Sequence, residues 1–500
     1  MATRTPGAAA SIEIDRDRTS ASSVAPALPG NAVEAPGTGT AVYTYGWDTA
    51  FAIPVLDVNK AIVDRKSSPT KFSVSESTYT VSGGFGDWQI CPGGDGKAVR
   101  LKLPLSNVQL RYLSTAKTFD FTDGFAVVEI ELHFVPHDTP AAGAPDGKPF
   151  ALVANPKAIS ETDPAFSVIA MKLNPAPGTV SGALVQQALL DWGNANLAQF
   201  SHVFSVVNLN RMVDRDQWGF VTPSYTSYAY LDGPTLETSV FAVLCMTGVR
   251  SGASLSEQIS NSAIPSGSVG GFLISQERTL YDLVRPSIKL AYPGLNDGNF
   301  LMSNDATQLY LKDGTSIALK PVPHDGTTYH PKLTQLSIQS NGEILTLKSY
   351  TTTDVAEGIT ATCQSTHWYK VALKSSGGSQ TLQFAEAQPA AIVHDIHQSE
   401  GSVITQLIVA IVAAIALLLL IILTDGAALV VGGLVVGLVM GANQIVPAAI
   451  EKINHDDSPD ISLLLVNSVH PIQWTGSREF LLNYASLNMS LQLGGDPRFV

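Results

Sequence analysis

Residues 99–105 read VRLKLPL and residues 128–134 read VEIELHF, and the pattern in these two stretches decides the fold. In both stretches every second residue is apolar, and the residues between are charged, polar or proline. A period of two is typical of a β-strand that has one face against the core and the other in water. The sequence therefore predicts a body built mainly from antiparallel strands.

Short turn signals separate further strand-like segments. Asp313-Gly314 lies between QLYLK and TSIAL, and Asn341-Gly342 lies between QLSIQS and EILTLK. A third signal, Ser376–Ser379, lies between WYKVALK and QTLQF. Asp-Gly and Asn-Gly are strong indicators of tight turns between paired strands, so we expect three β-hairpins here.

Two segments have helical periodicity. Thr49–Val63 and Ala183–Val207 carry apolar residues on one face at spacings of three and four. Pro54 limits where the first helix can start, and Gly193 is a point at which the second could be interrupted. Long helices beside an antiparallel sheet predict an α+β fold.

One block near the C-terminus differs from the rest of the chain. From Val403 to Ile450 the only charged residue is Asp425. Leu407–Leu423 reads LIVAIVAAIALLLLIIL and Ala427–Ala442 reads AALVVGGLVVGLVMGA, with a Thr-Asp-Gly turn signal between them. We predict an apolar helical hairpin over 403–450.

The sequence leaves three locations open for this hairpin. A helix of 17 residues reaches about 25 Å, whereas the hydrocarbon layer is about 30 Å thick. The flanks also lack the Lys/Arg excess of membrane hairpins, so burial in a protein groove is favoured over a permanent membrane span. The third location is conditional: the hairpin stays soluble until acid neutralises Asp425 and lowers the cost of insertion. The residues assigned to a lipid or membrane contact in this block are Leu407, Leu417, Leu420, Asp425, Gly433, Gly437 and Gly441, the glycines because they let two helices approach closely.

Composition limits the partners and the compartment. The net charge of −13 opposes nucleic-acid binding, which needs a basic face, and disfavours an anionic bilayer at pH 7. Cys91, Cys245 and Cys363 are widely separated and odd in number, so we expect buried free thiols made in a reducing compartment. The first 20 residues lack the apolar core of a secretory signal. We therefore expect synthesis in the bacterial cytoplasm and release by a route without that signal.

The chain divides into four parts. Residues 1–40 are rich in Ala, Gly, Pro, Ser and Thr and are predicted to be a disordered leader. A β-rich body at 41–402 and the apolar hairpin at 403–450 follow. A C-terminal segment, 451–500, is expected to return to the body.

Each constellation that could carry chemistry is incomplete. Gly93–Lys97 reads GGDGK but lacks the first glycine and the Ser or Thr of a phosphate loop. The residues of His394-Asp395-x-His397 could offer metal ligands, but a third and fourth ligand at metal-site spacing are not apparent nearby. Cys363 and His367 would share a strand face but stand too far apart for a direct hydrogen bond. We therefore expect no catalytic residues, no metal and no cofactor.

Four longer stretches together resemble one protein family. They are YTYGWDTAFAIPVLDVNKAI (Tyr43–Ile62), TSYAYLDGPTLETSVFAVLCMT (Thr226–Thr247), GGFLISQERTLYDLVRPSI (Gly270–Ile288) and PIQW…FLLNYASLNMSLQLGG (Pro471–Gly495). In this order they resemble the clostridial forty-seven-kilodalton protein family, whose relatives are the OrfX proteins encoded beside some botulinum-type neurotoxins. The leader looks like an addition in this chain, and the long apolar hairpin need not be shared by every relative.

The resemblance implies a fold and a role. The fold is the tubular lipid-binding (TULIP) fold, in which strongly curved antiparallel sheets wrap long helices and enclose an apolar groove. The role is that of an accessory to a protein toxin, binding lipid or another toxin component, with no known catalysis and no site residues to carry over. Trp47, Phe51, Trp192 and Phe200 are our candidates for lining the groove, although plain core packing would explain them as well. We thus predict a non-enzymatic accessory protein that holds a lipid or a toxin partner in an apolar groove; the alternative is a membrane-active protein that inserts 403–450.

Overall fold

Antiparallel strands make up most of the described chain. The computed structural model describes residues 40–137, 148–157, 164–209, 221–376, 379–399, 472–477 and 480–499, with positions 409, 411, 412 and 415. In chain order the strands begin with β1 (Thr49–Pro54), β2 (Lys71–Ser75), β3 (Tyr79–Phe85), β4 (Gln89–Ile90), β5 (Val99–Tyr112), β6 (Thr118–Ile130), β7 (Leu132–Pro136), β8 (Lys148–Ala154), β9 (Phe166–Asn174), β10 (Ser205–Leu209), β11 (Pro223–Leu231) and β12 (Val240–Thr247). They continue with β13 (Gly270–Ile274), β14 (Phe300–Met302), β15 (Gln308–Leu311), β16 (Ile317–Ala318), β17 (Val322–His324), β18 (Thr327–Tyr329), β19 (Lys332–Asn341), β20 (Ile344–Ala356), β21 (Ile359–Ser376), β22 (Ser379–Gln398), β23 (Ile472–Trp474), β24 (Leu481–Asn488) and β25 (Ser490–Asp496).

The described helices are few. They are α1 (Val55–Arg65), α2 (Thr179–Asn196), α3 (Gln276–Arg278) and α4 (Arg285–Ala291), with a π-helical turn (Thr279–Val284) joining the last two and 3-10 turns at Leu197–Gln199, Leu236–Thr238 and Asp297–Asn299. Helix α2, of 18 residues, is the longest helix in the described ranges. It packs against β9 and β2.

Five sheets organise the strands of the described ranges. The central sheet has the order β11-β12-β1-β13-β25-β24, and the N-terminal sheet has the order β2-β3-β5-β6-β9 with β4 beside β5. The seven-stranded sheet has the order β14-β15-β19-β20-β21-β22 with β16 beside β19. A four-stranded sheet, β23-β10-β8-β7, and the small β17-β18 pair complete the set. One large apolar cluster receives side chains from the central, N-terminal, four-stranded and seven-stranded sheets, so these sheets share a core.

The alternating pattern that predicted strands is confirmed in the N-terminal sheet. The apolar residues of the first stretch, Val99, Leu101, Leu103 and Leu105, are all buried in β5. The second stretch is split at Glu131, because β6 ends at Ile130 in one sheet and β7 begins at Leu132 in another.

The predicted hairpins have different outcomes. Asn341 pairs with Ile344 across the β19–β20 turn, and Ser376 pairs with Ser379 where β21 meets β22, so these two hairpins are confirmed. Between β15 and β16 the structure has a turn with Gly314 at φ +80. Both strands pair with β19 and not with each other, so the hairpin predicted at Asp313-Gly314 is wrong.

The predicted α+β fold, with strongly curved sheets wrapping long helices, is wrong. Of the segment Thr49–Val63, the first residues form β1, which lies between β12 and β13 in the central sheet. The helix starts only after Pro54, which has no N–H to donate. Of the segment Ala183–Val207, α2 ends at Asn196 and the apolar residues after Phe204 form β10.

The error at β1 has a physical cause. A strand buried on both faces is apolar at every position, so it loses the period of two and its sequence can be mistaken for part of a buried helix. All eight residues of β12 are buried, and so are the first five of β1. Each of the two segments predicted as one helix is helical over most of its length and forms a strand at one end.

The apolar helical hairpin predicted over 403–450 lies outside the described residues, apart from four positions. Val409, Ile411, Val412 and Ile415 are described, and they are helical. The leader predicted at 1–40 also lies outside the described residues, except for position 40. In the described ranges, no helix is both long and apolar enough to cross a membrane.

Candidate functional site

Aromatic side chains gather around Trp88, in the loop before β4. Trp88 stacks on Phe200 with ring centroids 5.1 Å apart and meets Trp192 edge-on at 6.4 Å. Phe85 lies 5.1 Å from Trp192. All four residues are buried. Since rings at these separations are in packing contact, Trp192 and Phe200 come together in a filled part of the core.

Phe51 and Trp47 lie elsewhere. Phe51 belongs to the same large cluster, where its ring meets those of Phe272, Trp474 and Phe480 at 6.0, 5.9 and 5.3 Å. Trp47 belongs to a second cluster, stacks on Tyr225 at 6.1 Å and donates its indole N–H to the Ser256 carbonyl. The four aromatic candidates therefore do not meet in one place, and their assignment to lipid contact stays a prediction.

A buried histidine lies in the aromatic core, and sequence reasoning missed it. His202 is 1% exposed, and its Nδ1 is 2.9 Å from the Ser67 hydroxyl. The imidazole meets the Phe204 ring edge-on at 4.7 Å and stacks on Phe200 at 6.1 Å. Burial lowers the pKa of His202 to about 4, and the charge of Arg65 adds to the effect.

Ser67 and His202 have the side chains of a nucleophile and its base, but they are not accessible to a substrate. Both residues are buried, so a substrate has no path to the hydroxyl in this conformation. The pair instead holds the end of α1 to the segment before β10. In the sequence the two residues are 135 positions apart, and no local pattern connects them.

A buried ion-pair network lies at the end of the central sheet. Asp48 is 1% exposed, and its Oδ2 accepts the backbone N–H and the hydroxyl of Thr247 at 2.8 and 2.9 Å. Its Oδ1 is 2.8 Å from the guanidinium of Arg250, which also reaches Glu277 at 3.1 Å. Burial raises the pKa of Asp48 more than Arg250 lowers it. The network ties β1 and β12 to the start of α3.

The π-helical turn extends this network along the helix. Arg278 pairs with Asp282 at 2.9 Å, and the guanidinium of Arg285 lies 3.5 Å above the Tyr281 ring. Burial also raises the pKa of Asp282. Although π-turns are frequent at functional sites, each arginine here already faces a carboxylate or an aromatic ring of the same network. We therefore interpret this network as one that holds the central sheet to the helical segment that begins with α3.

The incomplete constellations of the sequence stay incomplete in the described residues. The N–H of Gly93 is donated to the Asp232 carboxylate at 2.8 Å, and Gly96 pairs with Tyr230, so the glycine-rich loop lies along β11. His394 and His397 are exposed on β22. No group of three or more His, Cys, Asp or Glu in the described ranges could hold a metal ion.

The described residues of the apolar block include one that packs on the β17-β18 pair and on β21 of the seven-stranded sheet. Ile415 is fully buried in a small cluster with Val322, Tyr329 and Cys363. Val409, which is also helical, is 48% exposed.

A row of buried polar side chains lies next to Cys363. Thr351 is directly opposite Cys363 in the strand register, and Ser349 is opposite Ser365. The hydroxyls of Ser349 and Ser365 are 2.7 Å apart, and His367 Nε2 is 3.2 Å from that of Ser365. Residues two apart share a face of a strand, so these groups form one polar strip beside the cluster that holds Ile415. Burial lowers the pKa of His367 to about 4.

Comparison with known proteins finds a matching family, two related sequences and a solved structure of similar fold. A family model described as OrfX-like, Protein OrfX2/OrfX3/P47, matches residues 44–495. The chain is 33% identical over 481 residues to Protein OrfX3 of Paraclostridium bifermentans, covering 91% of this chain and 98% of that protein. It is 30% identical over 491 residues to Protein OrfX3 of Clostridium botulinum (strain Kyoto / Type A2), covering 90% and 98%. The solved structure of P47 from Clostridium botulinum A2 matches with a TM-score of 0.59 at 18% identity, over 91% of this chain and 98% of that one, which indicates a shared fold.

Proposed function

The chain belongs to the OrfX-like family of OrfX2, OrfX3 and P47 proteins, and on that premise we propose that it is a non-enzymatic accessory protein of a secreted toxin system, acting by binding another component of that system. The family resemblance expected from four stretches of sequence is thereby confirmed. The observation that carries the proposal is the length of the match, which runs through the described body of the protein.

The structure supports binding over chemistry in one respect. Three described side chains that could act as nucleophile or base are buried: His202 and Ser67 lie beside the aromatic core, and Cys245 is in the central sheet. Burial raises the pKa of Cys245 to about 12, so its thiol stays protonated and unreactive.

The binding proposal is tested with purified components. The protein is mixed in turn with each protein encoded beside its own gene, and complexes are measured by analytical ultracentrifugation and calorimetry. The expected result is a defined complex with at least one of them. A parallel arm measures co-purified lipid by native mass spectrometry, with serum albumin as the positive control for apolar ligands. Failure to bind any of these proteins, together with the absence of lipid, would refute the proposal.

A second candidate function is membrane contact through the apolar block. The observation that favours it is the half-exposure of Val409, because the described start of this block presents apolar surface to water. Since the protein carries a net charge of −13, a neutral bilayer is a better target than an anionic one.

Vesicle flotation tests this candidate. Binding to phosphatidylcholine vesicles is expected to rise between pH 7 and pH 5, and Asp425→Asn is expected to raise binding at pH 7, because a neutral side chain enters an apolar layer at lower cost. The matched control is Asp313→Asn, which makes the same change in a turn of the body. Equal binding by the wild type, by Asp425→Asn and by a protein without residues 403–450 would refute it.

A further inference from the structure

The outer face of the N-terminal sheet carries a partly exposed aromatic ring. In the strand register Phe125 of β6 lies opposite Pro104 of β5 on one side and opposite Lys172 of β9 on the other. The ammonium group of Lys102 is 4.8 Å from the centroid of the Phe125 ring. The inner-face residues of these strands, such as Leu103, are buried in the main core. Phe125 therefore belongs to the face that this core does not cover.

Further apolar residues surround this ring. Val127 lies opposite Ala170 in the next row of the register, and Ala170 is exposed. Ile169, which the register between β6 and β9 leaves unpaired, is 44% exposed. Apolar residues scattered singly on a surface need no explanation, whereas a contiguous patch with a polar rim indicates an interaction site. We call Pro104, Phe125, Val127, Ile169 and Ala170 the Phe125 patch.

The rim of the Phe125 patch is basic. Lys102 and Lys172 are exposed, and neither forms an ion pair with a described residue. Arg100, by contrast, is paired with Glu129 at 2.9 Å. The carboxylate of Asp123, one row further along, accepts hydrogen bonds from its neighbours. In a chain with a net charge of −13, two such lysines beside apolar surface form a local site for anionic groups.

The spacing of the two lysines matches an extended peptide. They lie on β5 and β9, which β6 separates, and their rows are two residues apart. With about 4.8 Å between strands and about 3.4 Å per residue, their Cα atoms are about 12 Å apart. Residues i and i+4 of an extended segment are about 13 Å apart and point to the same side as residue i+2. A residue midway between two carboxylates would therefore lie over the patch.

We propose that the Phe125 patch binds an extended acidic segment of a partner protein, in which an apolar side chain packs on Phe125 and carboxylates on either side of it pair with Lys102 and Lys172. This inference rests on the proposed accessory function and adds the place and the chemistry of the contact. A protein segment is favoured over an anionic bilayer for two reasons. The net charge of −13 opposes approach to that bilayer, and Phe125 lies on a strand, not on a projecting loop that could enter the layer.

Charge reversal in the full-length protein tests the proposal. Lys102→Glu/Lys172→Glu is compared with Lys312→Glu/Lys332→Glu, which makes the same change at two exposed lysines outside the N-terminal sheet. Binding to each protein encoded beside the gene is measured by calorimetry at low and high salt. Carbodiimide, which joins a lysine amine to a carboxylate in direct contact, maps the partner residues by mass spectrometry. Analytical ultracentrifugation of each variant alone records self-association, and flotation with phosphatidylserine vesicles records membrane binding.

The expected result for Lys102→Glu/Lys172→Glu, and not for its control, is binding weaker by at least about tenfold with a smaller loss of affinity at high salt. Phe125→Ala should also weaken binding but leave the salt dependence unchanged, because it removes apolar contact and no charge. Cross-links should join Lys102 and Lys172 to acidic residues about four positions apart in one partner segment.

Three results would overturn the proposal. Equal binding by the wild type and by Lys102→Glu/Lys172→Glu would refute the patch and leave the accessory function intact, whereas a wild type that forms no complex would remove both. Self-association that only Lys102→Glu/Lys172→Glu abolishes would assign the patch to a second copy of the chain. Flotation of the wild type that the same variant abolishes would assign it to an anionic membrane.

Discussion

Acid should destabilise this protein through two buried histidines. The pKa values of His202 and His367 are lowered by burial from 6.5 to about 4. Between these values the unfolded chain binds a proton that the folded protein does not, so folding free energy is lost as the pH falls from about 6.5 toward 4. The difference of about 2.5 in pKa corresponds to about 3 kcal/mol for each histidine at pH 4, and to about 2 kcal/mol at pH 5. Such losses are a large fraction of the stability of an ordinary domain.

The two side chains can be replaced without removing their hydrogen bonds. His202 uses Nδ1, whose position the amide of asparagine approximates, and His367 uses Nε2, whose position the longer glutamine approximates. His202→Asn and His367→Gln should each remove about 2 kcal/mol of the loss in unfolding free energy between pH 7 and pH 5. The measurement is urea unfolding of each protein at both pH values, with the exposed His394→Asn as the control.

Two carboxyl groups act in the opposite direction and must be separated from the histidines. Burial raises the pKa values of Asp48 and Asp282, so their contribution to stability is present at low pH and is lost as the pH rises through the raised values. They partly offset the histidines in every protein of the series, and the comparison between variants cancels them. If the wild type and the double histidine variant lose the same unfolding free energy between pH 7 and pH 5, the reasoning is wrong.

Substitutions at three positions should lower stability at pH 7, each measured as the free energy of urea unfolding. Arg250→Ala removes the charge that faces buried Asp48 and should cost about 2–4 kcal/mol, less at pH 5 than at pH 7 because Asp48 can then take up a proton. Gly193→Ala improves helix propensity by about 1 kcal/mol, but its new Cβ would lie 2.3 Å from the Phe166 ring, so a net loss of about 1–3 kcal/mol is expected. Tyr228→Phe removes a hydroxyl that accepts the Leu132 N–H at 2.7 Å and should cost about 1–3 kcal/mol.

Each of these substitutions has a control of the same type. Lys60→Ala removes an exposed ion pair with Asp64 and should change stability by no more than about 0.5 kcal/mol. Gly182→Ala lies in the same helix as Gly193, but its Cβ would meet only the ring of Pro177, at 3.2 Å, and should cost less. Tyr43→Phe removes an exposed hydroxyl and should have no effect. A control that loses as much as its partner would contradict the packing argument for that site.

The sequence predicts a strand where the alternation of apolar and polar residues matches one buried and one exposed face of that strand. Strand β5 has one buried and one wet face, so Leu101 and Leu103 reveal it by alternation. The Asn341-Gly342 turn reveals its hairpin because Gly342, at φ +57, takes the left-handed conformation that favours glycine. By contrast β12 has no wet face, and its sequence VFAVLCMT contains no period to detect.

The groups around the candidate site could not be predicted in the same way. Asp48 precedes an apolar strand, and nothing near it in the sequence indicates Arg250 or Glu277. His202 meets Ser67 only because α1 and the segment before β10 come together in the fold. Such pairs have no spacing rule, since the sheets bring together residues that are far apart along the chain.

The four stretches by which this chain resembles its family form its central sheet and do not gather into a binding site. The stretches Tyr43–Ile62, Thr226–Thr247, Gly270–Ile288 and Pro471–Gly495 supply nearly all of β1, β11, β12, β13, β24 and β25, which together are the central sheet. Three of them also meet at Asp48, whose partners hold the sheet to the helix. In this chain these stretches form the sheet and its buried ion pair, so their resemblance to the family predicts the fold without naming a ligand. The partner that we propose is therefore to be sought on the outer surfaces of the protein.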